Sequence, residues 1–358
     1  MTHGTRHRPT TLFSFLLLLV GILAFPAAVE AQTCIYSART EKPRCAFTRE
    51  RPVEPFSEPA IPEDSFLPDA VYGWVEDYAY FFDKPEPGAK PVRTARSGFF
   101  YGPAVETVTD ERGKVWHKVW GDWLPDEYYH QVEASEFKGI EVNRQPERPF
   151  GWVLRPTAPR PEPAADAEPG AEELPRYEFV QLYDWKRGPD NNTWYDVGPG
   201  QWVRYDTVAL TVPRPRPGDV GPQDYWVDVD LEQQIFAAYE GDRLVYAGLV
   251  SSGLSRWPTR VGLNQVWERR ELTPMEGGEH GDDYYYIDDV PHNLFYDGEI
   301  ALHGAFWHDD FGRPKSHGCV NMAPYTAEWV YNWSEDAPND LWVWVHYASY
   351  EEILLYQP

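Results

Sequence analysis

Proline limits this chain before anything else does. Thirty-four of its 358 residues are proline and 27 more are glycine. Each proline removes a backbone donor and fixes φ, so long uninterrupted helices have little room. Between these breaks stand short aromatic and β-branched runs, drawn from 16 Trp, 23 Tyr and 17 Phe. Such spacing predicts short strands joined by many turns, a mainly β architecture rather than a helix bundle. The length allows two or three domains of about 100–200 residues each.

The formal net charge is −25. A chain this acidic repels nucleic acid and anionic membrane surfaces, so neither is expected as a partner. The charge suits a soluble extracellular protein, and a monomer is expected. An address for export stands at the N-terminus. Arg6 and Arg8 precede an apolar run from Leu12 to Phe25, and Val29-Glu30-Ala31 offers a cleavage site before Gln32. This is the layout of a secretory signal peptide over residues 1–31. The alternative is an uncleaved anchor, but the run falls short of the roughly 20 residues needed to span hydrocarbon. Extracytoplasmic, cell-wall-associated localisation is therefore expected, with no transmembrane segment after cleavage.

Three cysteines are present: Cys34, Cys45 and Cys319. In an oxidising compartment Cys34 and Cys45 are close enough in sequence to close a small loop as a disulfide. Cys319 is then the lone thiol.

Residues 32–69, rich in Pro, Glu and Arg, read as an extended leader. From residue 70 to 133 short aromatic strands recur, as in Val71-Tyr72-Gly73-Trp74-Val75 and Gly98-Phe99-Phe100-Tyr101. Trp116-His117-Lys118-Val119 followed by Trp123-Leu124 has a likeness in Trp194-Tyr195-Asp196-Val197 followed by Trp202-Val203. Two diverged copies of one small β module are expected, over 70–133 and 134–213. They resemble bacterial SH3-like barrels. The second carries a Pro/Ala/Glu insertion at 156–175, expected as a solvated surface loop. After the boundary at 213–217, Trp226 to Leu231 alternates as a strand, Gln233 to Tyr239 gives a second, and Glu240-Gly241-Asp242-Arg243 is a tight turn. A short helix is expected from about Pro324 to Trp333, and a C-terminal tail over 347–358.

The chemistry is concentrated in Leu302-His303-Gly304 and in Ser316-His317-Gly318-Cys319-Val320-Asn321. A thiolate is the nucleophilic form of cysteine, and a nearby imidazole can take its proton. His303 and His317 both lie within reach. Gly318 removes bulk beside the nucleophile, and its N–H together with that of Cys319 could form an oxyanion hole. Taken from the residues alone, two other readings stay open. One is a buried cysteine beside structural histidines. The other is a zinc site using His303, His317 and Cys319, with His308, Asp309 and Asp310 as further donors. A Gly-rich acidic loop at 275–283, with His280, Asp282 and Asp283, reads as solvated rather than as a metal site.

Ser-His-Gly-Cys-Val-Asn preceded by His-Gly closely resembles the signature of the YkuD-type L,D-transpeptidases. The resemblance covers about residues 224–346 and departs at Pro258-Thr259-Arg260-Val261-Gly262, where the family's Thr-Pro order is lost. It implies a β-sandwich-like catalytic domain that needs no cofactor and no metal. It also implies the roles of the residues. Cys319 is the nucleophile, and His303 is the general base, oriented by a main-chain carbonyl such as that of Gly304. His317 and the N–H groups of Gly318 and Cys319 stabilise the oxyanion. Ser316 and Asn321 hold the loop beside the substrate, while Tyr286, Phe295 and Tyr296 are candidates for the cleft wall under a lid. The implied partners are peptidoglycan stem peptides, donor and acceptor. The implied reaction is acyl transfer through a thioester with loss of D-Ala, giving a 3→3 cross-link. With water as acceptor the same residues make an L,D-carboxypeptidase, and a non-catalytic wall-binding protein is the remaining alternative.

Overall fold

The computed structural model describes residues 31–37, 40–48, 54–60, 65, 71–279 and 283–355. The signal-peptide expectation lies outside them, apart from Ala31. The chain divides into two units, Met1–Val53 and Glu54–Pro358. In the first, strands Ala31–Ser37 and Thr40–Thr48 form an antiparallel hairpin whose register sets Cys34 opposite Cys45. This part of the leader is thus paired strand rather than an isolated extended run. The side chains of the expected disulfide lie outside the described residues.

The second unit is mainly β. The strands that matter for the site are β1 (Val71–Val75), β2 (Phe99–Ala104), β3 (Tyr129–Gln131), β4 (Tyr225–Asp230), β5 (Ile235–Glu240) and β6 (Arg243–Ser251). They continue with β7 (Gly262–Gln265), β8 (Glu268–Gly277), β9 (Tyr285–Asp297), β10 (Ile300–Gly304), β11 (Val320–Met322) and β12 (Trp342–His346). One sheet runs in the order β3-β1-β2-β9-β10-β11-β6-β5-β4-β12-β7, with β8 paired to β9. Met275, Glu276 and Gly277, expected in the acidic loop, belong to β8.

The expected tight turn joins β5 to β6. Gly241 sits there at φ +57°, and a Cβ would come 2.2 Å from the Pro222 carbonyl oxygen, so only glycine fits. Helix α1 (Pro324–Trp333) begins on a proline, whose missing N–H costs nothing in the first turn. The alternation in β4 predicts one wet face, yet Val227, Asp228, Val229 and Asp230 are all buried. One face of the sheet, with Val227, Val229, Phe236 and Leu302, meets Ala327 and Val330 of α1. The other, with Trp226, Ile235 and Tyr239, packs with Phe150 and Trp152. Trp226 stacks on Tyr239 with ring centroids 4.0 Å apart. Buried Asp228 and Asp230 both pair with Arg214, itself buried, at 3.1 and 3.2 Å.

Residues 71–131 and 150–211 share a succession of elements, apart from two further strands, Tyr80–Phe82 and Pro91–Thr94, in the first. In the first, β1 lies between β2 and β3; in the second, Phe150–Val153 lies between Phe179–Gln181 and Val208–Thr211. Each also has a three-strand meander, over 106–125 and 184–204, followed by a 3₁₀ turn. Asp110 and Asp190 close equivalent turns and accept from Trp116 and Trp194 Nε1, at 3.1 and 3.3 Å. Strand Ile140–Val142, expected in the second copy, pairs instead with β6 and with Phe56–Ser57 of the leader. The insertion is less free than its composition predicts. Thr157 bridges Leu174 and Arg160 bridges Trp202, which folds it back on the body. In the tail, Tyr350–Leu355 is helical and Ile353 is buried with Val153 and Leu210.

Candidate active site

Two neighbouring strands bring the candidate residues together. β10 and β11 run parallel, with His303 opposite Asn321 in register, and Cys319 precedes β11 by one residue. The loop before β11 is held by small polar groups. Gly318 turns the chain at φ +122°. Ser316 Oγ accepts from Gly318 N at 3.1 Å and donates to the Cys319 carbonyl. Thr259 Oγ1 donates to the Gly318 carbonyl at 2.7 Å and accepts from Gly253 N at 2.8 Å. The departure from the family turn at 258–262 therefore touches the loop that carries the cysteine. The Gly318 N–H is turned into the loop toward Ser316, which corrects the expectation that it faces a substrate oxyanion.

His303 is buried, and its Nδ1 lies 3.0 Å from the Gly304 carbonyl oxygen. A carbonyl accepts only, so Nδ1 carries the proton and Nε2 is left as the basic nitrogen. Trp307 stacks against the ring at 5.8 Å between centroids. Burial pulls His303 down to about 4, keeping it uncharged at neutral pH. Cys319 is partly exposed in the cleft, with Sγ 3.7 Å from the Glu299 carbonyl. Desolvation by its surroundings pushes the thiol up to about 11. The resting pair is therefore thiol and neutral imidazole rather than an ion pair. His317 lies between Trp257 and Tyr285, at 3.7 and 4.8 Å between centroids, and its Nε2 has no hydrogen-bond partner among the described residues. Burial and then the Arg256 charge lower its basicity.

Cys319, His303, His317, Ser316 and Asn321 all line one cleft of about 330 Å³. Tyr286, Phe295 and Tyr296 do not. Tyr285 and Ile287 face the cleft from β9, while Tyr286 turns away onto Trp120 at 5.7 Å. Phe295 packs on Trp267, and Tyr296 is buried in the core beneath the sheet. For Tyr286 the expectation is off by one residue, and on a strand one residue changes the face.

His308, expected in a polar loop, is a buried partner of the site. Its Nε2 lies 3.0 Å from the side-chain amide of Asn321, and its Nδ1 accepts from Asp310 N at 3.1 Å. Burial and then Lys315 hold it at about 3, hence neutral. The atom facing His308 Nε2 is Asn321 Nδ2, whereas a neutral ring that accepts at Nδ1 can only donate from Nε2, so the side-chain amide is better assigned with its oxygen toward the ring. Among the described residues no three His, Cys, Asp or Glu side chains converge as a metal-holding group. His280 and Asp282 lie outside the described residues.

Residues 224–344 match the family model described as YkuD: L,D-transpeptidase catalytic domain. A curated protein of Bacillus subtilis (strain 168), named "Putative L,D-transpeptidase YciB", is 28% identical over 127 residues. That match covers 32% of this chain and 62% of the relative, so the chain spans less than two thirds of its length. Among solved structures, the NMR structure of the catalytic domain from E. faecium L,D-transpeptidase is 23% identical. It covers 35% of this chain and 98% of that one, with a TM-score of 0.31. An L,D-transpeptidase from Mycobacterium smegmatis is 17% identical and covers 60% of this chain and 93% of that one, with a TM-score of 0.32. The segment that carries Cys319, His303 and His317 is thus matched, by sequence, to the YkuD L,D-transpeptidase catalytic domain.

Proposed function

We propose that the chain is an exported L,D-transpeptidase that forms 3→3 cross-links between peptidoglycan stems through an acyl-enzyme on Cys319. One observation carries the reading. A buried, uncharged His303 has Nδ1 committed to the Gly304 carbonyl and shares a cleft with the one cysteine among residues whose side chains are described.

With thiol and imidazole both neutral, the proton leaves Sγ for His303 Nε2 as the S–C bond forms. The attacked carbonyl is the one joining the L-centre of the third-residue diamino acid to D-Ala. The Cys319 N–H and His317 face the oxyanion in this reading. The imidazolium returns its proton to the departing D-Ala amine as the C–N bond breaks, leaving a thioester. An acceptor amine then attacks the thioester, gives its proton to His303, and the thiol is restored as the new amide forms. The segments 71–131 and 150–211 are read as SH3-like modules that accompany the catalytic domain, and the protein acts as a monomer outside the cytoplasm without a cofactor.

The test uses the mature protein and its Cys319→Ala variant with purified disaccharide-tetrapeptide, products being followed by mass spectrometry. A thioester adduct lacking D-Ala and 3→3 dimers, both absent in the variant, are expected. Tripeptide without dimer would convert the reading to an L,D-carboxypeptidase. A folded, reduced protein that forms no adduct would refute acyl transfer.

A further inference from the structure

The cleft has a wall that the catalytic segment does not supply. β2, which lies well outside residues 224–344, pairs in parallel with β9: Phe99 with Tyr285, Phe100 with Tyr286, and Tyr101 with Ile287. The pairing is seeded by Phe99 N donating to the Tyr284 carbonyl at 2.9 Å. Strand periodicity then divides the three rings. Phe100 turns back toward its own segment and packs near Trp120 at 6.3 Å. Phe99 and Tyr101 face the cleft that holds Cys319 and His303. Tyr101 sits 6.4 Å from Trp307, the ring that stacks on His303. Phe99 remains 49% exposed at the mouth. A large apolar ring left open beside a nucleophile has no packing role that requires the exposure, and it is placed to contact what enters.

The opposite character is found at the rim. Arg256 lies over Trp257 at 3.8 Å and pairs with Asp283 at 3.1 Å, and Lys315 pairs with Asp310 at 2.5 Å. Flat apolar rings beside cationic groups suit a peptide with aliphatic portions and free carboxylates.

We propose that β2 is a built part of the cleft and that Phe99 and Tyr101 are specificity-determining residues which grip the donor peptide. The identity of that peptide rests on the transpeptidase reading; the wall itself does not. Without β2 the catalytic segment keeps its nucleophile and base but loses one side of the groove.

The experiment measures binding of disaccharide-tetrapeptide to the full chain by calorimetry in a Cys319→Ala background, with thioester formation followed separately in proteins that keep Cys319. Adding Phe99→Ala and Tyr101→Ala together is expected to weaken binding about tenfold, the loss typical of removed aromatic anchors. Tyr101→Phe keeps the ring and should bind as the parent does. Tyr80→Ala, an exposed ring elsewhere on the same small segment, should also bind as the parent. Equal binding by all four proteins, or no binding by the parent, overturns the proposed grip of Phe99 and Tyr101 on the donor peptide. Ring-dependent binding without any thioester would support the wall and refute transpeptidation, so the two failures read differently.

Discussion

The segments 71–131 and 150–211 share a succession of elements but join the catalytic sheet in different ways. The first joins by its edge: β2 donates and accepts main-chain hydrogen bonds with β9, and its alternate side chains enter the cleft. The second joins by its face: Phe150 and Trp152 pack with Trp226, Ile235 and Tyr239, and none of its residues line the cleft. Face docking stabilises through buried area. Edge docking fixes register, and register decides which side chains meet a substrate. One small β unit can therefore act as a buttress or as part of an active site, depending on which surface it offers.

Acid should separate the two regions most widely. His292, His303 and His308, all on or beside the catalytic sheet, have folded-state values lowered to about 4, about 4 and about 3, chiefly by burial. Their stabilising contribution is complete above about 6.5, the unfolded value. It is lost as pH falls toward the folded values, because the unfolded chain binds protons that the native chain refuses. Each such histidine contributes a slope of up to about 1.4 kcal/mol per pH unit. Urea denaturation at pH 7.5 and at pH 5 should show a marked fall, with hydrogen exchange rising in β9 and β10 before 150–211. A flat stability profile over that window would contradict the burial of these rings.

Trp152→Ala removes the face contact. It is expected to cost about 3–5 kcal/mol by denaturant unfolding, as for other buried aromatic truncations, while thioester formation per folded molecule stays unchanged. A loss of acylation without a loss of stability would mean that the second segment also reaches the site. Gly98→Ala attacks the edge. Gly98 sits at φ +148°, where a Cβ would come 2.5 Å from the Tyr284 carbonyl oxygen. Roughly 1–3 kcal/mol of strain is expected, a smaller change in stability than that of Trp152→Ala but a larger one in tetrapeptide binding. The reverse ranking would remove the distinction between edge and face.

Much of the catalytic region was legible from local pattern. The β5–β6 turn follows from Gly241, α1 from Pro324, and the meeting of His303 with Cys319 in one cleft from two motifs on adjacent strands. What escaped depends on partners remote in sequence. The choice of Tyr285 over Tyr286 is set by the register of the long strand β9, whose pairing breaks step opposite Thr273/Met275 of β8 and again at its own Phe295/Asp297. The burial of Asp228 and Asp230 needs Arg214, which stands before the domain begins. Thr259 and His308 carried no local signal, since a threonine in a turn and a histidine in a polar run have ordinary reasons to be there. Their significance comes only from the Gly318 carbonyl and the Asn321 amide.

The parallel pairing of β2 with β9 also imposes an order of events on folding. The two strands lie far apart in the sequence, so β2 is made long before its neighbour exists. Until the catalytic sheet closes, it presents an open row of donors and acceptors beside an exposed Phe99, the kind of strand edge that recruits other chains. Parallel contacts of such long range are slow to form. A newly made chain therefore passes through an interval in which its half-built groove is an adhesive surface, and completing the cleft is the same event as hiding that edge.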